Sequence, residues 1–217
     1  ALDIRLAALV LVGAVLVTPA ASDAQEEEPS APPEGWVVVT DRGGHGGGEL
    51  EFVDMPPGFH ITTGPAAIFF DPEMRAEGSY RVESTIHLFD PGRRNEAFGL
   101  FIGGSDLEGE GQEYTYFLIR RDGGTLVKRR EGASTSNVRG WTPHDAVATW
   151  DEREEGAATV ENTLAIEATD DELIFEVNGE EVYRADRAEL AADGIVGLRV
   201  NHGLNLHVTA LDVRPGG

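Results

Sequence analysis

Leu173-Ile174-Phe175-Glu176-Val177-Asn178-Gly179 is the stretch that decides the fold. A short apolar run ends in Asn-Gly, the dipeptide best suited to the two positive φ angles of a type I′ hairpin, and Glu181-Val182-Tyr183 follows as the return strand. Residues 162–168 pair with the opening strand across an acidic turn. Gly194-Ile195-Val196-Gly197-Leu198-Arg199-Val200 and residues 204–213 then add two more β-patterned runs, each too short for a helix.

The same punctuation extends upstream. Residues 36–40, 59–63 and 66–70 read as short strands. Residues 79–89 alternate strictly, with Tyr80, Val82, Ile86 and Leu88 on one face and Arg81, Glu83, Thr85 and His87 on the other, so one side lies in a core. Residues 97–103 and 114–121 are apolar on both faces, as central strands are. Asp122-Gly123-Gly124 turns the latter into residues 125–131. Glycines 43, 44, 46, 47 and 48 around His45 make a loop that lacks the lysine and following helix of a phosphate cradle. Residues 141–160 form the longest irregular stretch, read as an excursion on the rim, and residues 187–191 make one helical turn. Roughly twelve strands, with no βαβ alternation and no repeat, predict two stacked antiparallel sheets.

Residues 6–17 are apolar, follow Arg5, and lead to small residues at Ser22 and Ala24, which is the pattern of a secretory signal peptide over residues 1–24. An uncleaved anchor is the competing reading. Residues 25–35 are rich in glutamate and proline and read as a disordered acidic linker, leaving 36–217 as a single domain. The chain has no cysteine, so an exported domain of this size must rest on its core rather than on disulfides. A net charge of −22 excludes nucleic acid as a partner and disfavours anionic lipid. Secreted or periplasmic location is expected, without membrane insertion after signal cleavage.

The apolar strand, the Val177-Asn178-Gly179 turn, the short return strand and the Gly194–Arg199 run together resemble the concanavalin A-like lectin and glucanase superfamily, and within it the bacterial 3-keto-disaccharide hydrolase-like domain. The resemblance implies an all-β, concanavalin A-like jelly-roll sandwich and carbohydrate or a cell-surface glycan as partner. Laminarinase-type relatives carry a Glu-x-Asp-x-x-Glu strand whose alternate acids enter one cleft. No Glu-x-Asp occurs in this chain.

Within this frame, Tyr114, Tyr116 and Arg120 project to one side of their strand, where rings stack on sugar faces and a guanidinium fixes hydroxyls or carboxylates. The alternative places both tyrosines in the core. Lys128, Arg129 and Arg130 form the only basic cluster. Whether Lys128 and Arg130 or Arg129 shares the tyrosine face depends on hairpin register, and the cluster serves either ion pairing or an anionic ligand. His60, His87, His202 and His207 lie on or beside strands without metal-ligand spacing, and His202 stands at a strand end, where sandwich sites often form. Asp106, Glu108, Glu110 and Glu113 offer oxygens for Ca2+, but their spacing is not that of an EF-hand, and a solvated acidic loop with no cofactor is expected. The candidate ligand-binding set is Tyr114, Tyr116, Arg120, Lys128, Arg130 and His202. The expected function is a non-catalytic carbohydrate-binding or interaction module, with a glycoside-active enzyme and a structural protein of the cell exterior as alternatives.

Overall fold

The alternating segment becomes a strand, β5 (Tyr80–Leu88), in which every second side chain is buried. The computed structural model describes residues 32–41 and 50–216. The expected signal peptide, residues 25–31 of the expected linker and the glycine-rich loop at 43–48 lie outside the described residues. The end of that linker makes a turn, with the Trp36 N–H donating to the Pro33 carbonyl at 3.1 Å.

Among the described residues fourteen strands, numbered in chain order, form two antiparallel sheets of seven. The first runs, edge to edge, β1 (Val37–Thr40), β4 (Ala67–Ala76), β13 (Gly194–Val200), β6 (Ala97–Ser105), β7 (Glu113–Arg120), β8 (Gly124–Glu131) and β9 (Ser134–Pro143). The second runs β12 (Glu180–Asp186), β11 (Glu172–Val177), β10 (Val160–Ala168), β5, β14 (Asn205–Pro215), β3 (Phe59–Thr62) and β2 (Glu51–Asp54). This is the expected jelly-roll sandwich. A single 3₁₀ turn, Arg187–Glu189, stands where one helical turn was read, and among the described residues no helix is long and apolar enough to cross a membrane.

Asn178 and Gly179 adopt φ of 51° and 81°, the two positive angles that the Asn-Gly pair implied. Asn178 also does more than turn. Its Oδ1 accepts the Thr163 N–H at 2.8 Å, while its Nδ2 donates to the Ala146 carbonyl at 2.7 Å and to Asn162 Oδ1 at 3.0 Å. Buried Asn162 grips both the N–H and the carbonyl of Ala148. The long irregular stretch is therefore pinned, and it sends Val147 and Trp150 into the core at 3% and 7% exposure, so it caps the sandwich instead of hanging from its rim.

Two strands were not anticipated. β2 buries only Phe52, and β9 begins Ser-Thr-Ser-Asn with every one of those residues exposed. Both are edge strands, held by backbone bonds to one neighbour, so neither needs the apolar alternation that marks interior strands. β9 also takes in residues 141–143, and the irregular stretch begins only at His144.

Between the sheets, Phe69, Phe98, Leu100, Phe117 and Ile119 meet Val82, Ile86, Leu164, Ile166, Phe175 and Val208. Phe52–Phe69 and Phe117–Phe175, with ring centroids 5.0 and 5.4 Å apart, lock one sheet onto the other. Each such side chain contributes about 1.5–3 kcal/mol on burial.

On the outer face of the second sheet, register brings three histidines into one row: His60 opposes His207, His207 opposes His87, and His87 opposes Glu161. The His87 and His207 rings lie 5.8 Å apart. Burial, with the neighbouring His207, pushes the His60 imidazole below its ordinary value, and its Nδ1 is buried without a hydrogen-bond partner among the described residues. The folded state thus favours neutral His60, while the unfolded chain takes up the proton near pH 6.5. This stability is present above about pH 6.5 and declines as pH falls below it. The denaturant midpoint should drop between pH 7.5 and 5.5, and His60→Gln should reduce that drop; an unchanged drop would exclude His60 as its source.

Candidate functional site

The first sheet is buried on both sides, and its outer face is where the sequence-derived candidates gather. Along β7, Phe117 and Ile119 point into the sandwich, while Tyr114, Tyr116 and Leu118 point outward into a second apolar cluster with Ile68, Phe70, Phe101 and Leu126. Cross-strand register sets Tyr114 opposite Arg130, Tyr116 opposite Lys128 and Leu118 opposite Leu126. Lys128 and Arg130 therefore share the tyrosine face. Arg129 takes the other face, where its guanidinium meets Glu113 at 2.6 Å and Glu131 at 3.0 Å.

The tyrosines are not an open platform. Tyr114 is 1% and Tyr116 6% exposed, and their rings pack 5.5 Å apart with Phe101 behind Tyr114 at 5.2 Å. The outer cluster needs these rings as filling, which corrects the expectation of two stacking surfaces. Burial raises both phenols above their ordinary value, so the hydroxyls stay protonated at neutral pH.

Arg199 of β13, flanked by Leu198 and Val200 of the inner core, lies on this outer face with 7% exposure. Its two terminal nitrogens meet Asp41 in a bidentate pair at 2.7 and 2.5 Å, Nη1 also lies 3.4 Å from the Tyr114 hydroxyl, and its Nε has no hydrogen-bond partner among the described residues. Arg130 approaches the same carboxylate at 3.6 Å. Burial opposes the charge on Asp41, but hydrogen bonding and attraction from Arg199, with help from Arg130 and His202, hold its carboxyl below the usual range. His202 sits in the turn after β13, 3.9 Å from Glu96.

At the other end of the face stands Trp141, 41% exposed. Gly140 and Trp141 together oppose Leu126, because the β8–β9 register shifts between Thr125 and Val127. Such a bulge re-aims a side chain. It presents the indole to Arg120, whose guanidinium lies 4.1 Å from the ring centroid. Arg120 is in turn fixed by Asp122 at 2.9 Å, and Asp122 accepts from Asn95 at 2.7 Å. Burial acts against the charge of Asp122, yet Asn95, the Gly124 N–H and Arg120 hold its carboxyl below the ordinary value.

Two hollows bracket the strip that carries Arg120, Lys128 and Trp141. One, of about 400 Å³, lies between the end of β1, the loop after β6 and the β8–β9 turn, lined by Thr40, Glu108, Gln112, Arg130 and Gly132. The other, of about 370 Å³, lies at the β7–β8 turn among Asp122, Pro143, His144 and Glu152. Of the four acids considered for Ca2+, Asp106 accepts the Gly111 N–H of its own loop, Glu113 pairs with Arg129, and Glu108 and Glu110 line the first hollow. Among the described residues no group of three or more His, Cys, Asp or Glu side chains is arranged to hold a metal ion.

The structure thus brings Tyr114, Tyr116, Arg120, Lys128 and Arg130 onto one face, with His202 at its border. Sequence reasoning missed Trp141, Arg199 and Asp41. A charged residue in the otherwise apolar run Gly194–Val200 was the available signal for Arg199. Trp141 had none, since its exposure comes from the bulge.

No family model matches the chain, and no curated protein matches it. Solved structures do. A carbohydrate binding module, CBM66, from Bacillus subtilis superposes with a TM-score of 0.59 at 14% identity, over 83% of this chain and 95% of its own. The potassium-bound carbohydrate recognition domain of Emp46p gives 0.55 at 10% identity, over 84% and 89%. The GH16 protein of a Bacteroides ovatus mixed linkage glucan PUL, in complex with a G4G4G3G product, gives 0.56 at 7% identity, over 82% and 94%. At these identities the likeness is one of fold, and that fold is the concanavalin A-like jelly roll.

Proposed function

We propose that the domain binds a glycan without cleaving it, across the strip of Arg120, Lys128 and Trp141 on the outer face of the first sheet, and that it does so outside the cytoplasm. The observation that carries this reading is Trp141: a bulge lifts its indole from the edge strand, and Arg120 stacks on it while the ring stays 41% exposed. An indole braced in this way offers a flat apolar surface to the C–H face of a sugar, and the guanidinium beside it donates to hydroxyls. Carbohydrate binding in CBM66 and in the Emp46p domain, which share the fold, agrees with this reading.

Glycoside cleavage by two carboxyl groups requires one of them to hold a proton. Of the acids at this face, Asp41 is kept ionised by Arg199 and Arg130, and Asp122 by Asn95, the Gly124 N–H and Arg120. That favours binding over hydrolysis. Trp141→Ala should abolish retention on glycan in affinity electrophoresis while leaving the melting temperature within a few degrees of wild type, because an exposed ring carries little of the fold. Unchanged retention would refute the site, and turnover of any oligosaccharide by wild type would replace the reading with an enzymatic one.

A further inference from the structure

We infer that the glycan is anionic and that Lys128 meets its carboxylate or sulfate; this rests on the binding reading above and narrows it to a ligand class. Lys128 is the only lysine in the chain of 217 residues. It stands half-buried in the middle of β8, in the row Phe101, Tyr116, Lys128, Asn137 across four strands, on the same face as Trp141.

The other cations of β7, β8 and β9 are all engaged. Arg120 is held by Asp122, Arg129 by Glu113 and Glu131, Arg130 by Asp41, and Arg139 by the Val182 carbonyl. Lys128 alone among them has no hydrogen bond or ion pair with a described residue. The chain holds 39 acids against 17 Lys and Arg, so an acid partner would be easy to supply, yet among the described residues none meets this ammonium.

Two ranges of force decide which ligand benefits. The net charge of −22 repels any anion at a distance, but that repulsion is screened beyond about 8 Å at 0.15 M salt. A contact with a half-buried ammonium is short-ranged and little screened, and a charge-assisted bond is roughly twice as strong as one to a neutral hydroxyl. The ammonium is a compact charge with three donors, which serves carboxylate and sulfate alike.

The test uses calorimetry with three probes of matched length: oligogalacturonate, a sulfated galactan oligosaccharide and neutral xylo-oligosaccharide, titrated into wild type, Lys128→Met and Lys128→Arg. Wild type should prefer at least one anionic probe, and which one separates carboxylate from sulfate. Lys128→Met should lose about tenfold or more of that affinity and a clearly smaller factor toward the neutral probe, where only a hydrogen bond to a hydroxyl is lost, and Lys128→Arg should retain most of it. Reductive ¹³C-dimethylation marks this single ε-amine, and its resonance should shift on addition of the preferred probe. Equal affinity of Lys128→Met and wild type for the anionic probe, or a wild-type preference for the neutral one, would overturn the inference while leaving the Trp141-dependent binding reading intact. Failure of wild type to bind all three would overturn both.

Discussion

Asp41→Ala is expected to destabilise the domain by about 3–5 kcal/mol, because it strands the guanidinium of Arg199 in an apolar layer. Arg199 is 7% exposed and bonds Asp41 through both terminal nitrogens. Removing one member of a buried pair costs far more than removing both, so Asp41→Ala combined with Arg199→Met should recover most of the loss. Denaturant midpoints of the three proteins test this. A single variant within about 1 kcal/mol of wild type would show that the pair does not anchor β1 to the sheet. The sign with pH follows from the depressed Asp41 carboxyl. Its contribution is complete above an unfolded value of about 3.9 and is lost as pH falls from there through the lower folded one.

The second large effect belongs to the tyrosines. Tyr114→Ala with Tyr116→Ala should cost about 5 kcal/mol or more, since each large-to-small change in a packed layer costs about 3–5 kcal/mol and these adjacent rings share a cavity. That is a large part of the stability of an ordinary domain, so much of the double variant should be unfolded near room temperature. Tyr114→Phe keeps the ring and should cost only about 1 kcal/mol for the hydroxyl. A double variant that keeps the wild-type midpoint would contradict the burial of both rings and restore the platform reading.

The two variants mark what the sequence could and could not reveal. The interior strands were legible because their side chains must alternate to meet a core: residues 79–89 and the Asn178-Gly179 hairpin declared themselves by pattern alone. β2 and β9 were not, because an edge strand is held by its backbone and carries no such pattern. At the site, the strand of Tyr114, Tyr116 and Arg120 was visible, as was the basic cluster. Tyrosine burial was not, since it depends on Leu107, which the loop after β6 brings onto the face, and on residues of β4 and β13 far away in sequence. Asp41 and Arg199 lie 158 positions apart and meet only once β1, β4 and β13 are side by side. Trp141 escaped because one extra residue in β9 sets the direction of its ring.

The position of β13 and β14 governs the order of events in time. β13 lies between β4 and β6, and β14 between β3 and β5, so each sheet has a gap through its middle until residues beyond Gly194 arrive. A nascent chain ending before that point has four unpaired strand edges facing the two gaps, and no local hairpin can close them. Pairings this distant make folding slow and expose sticky intermediates along the way. Neither sheet can become continuous before these final strands are available, so the last residues of the chain complete both layers at once.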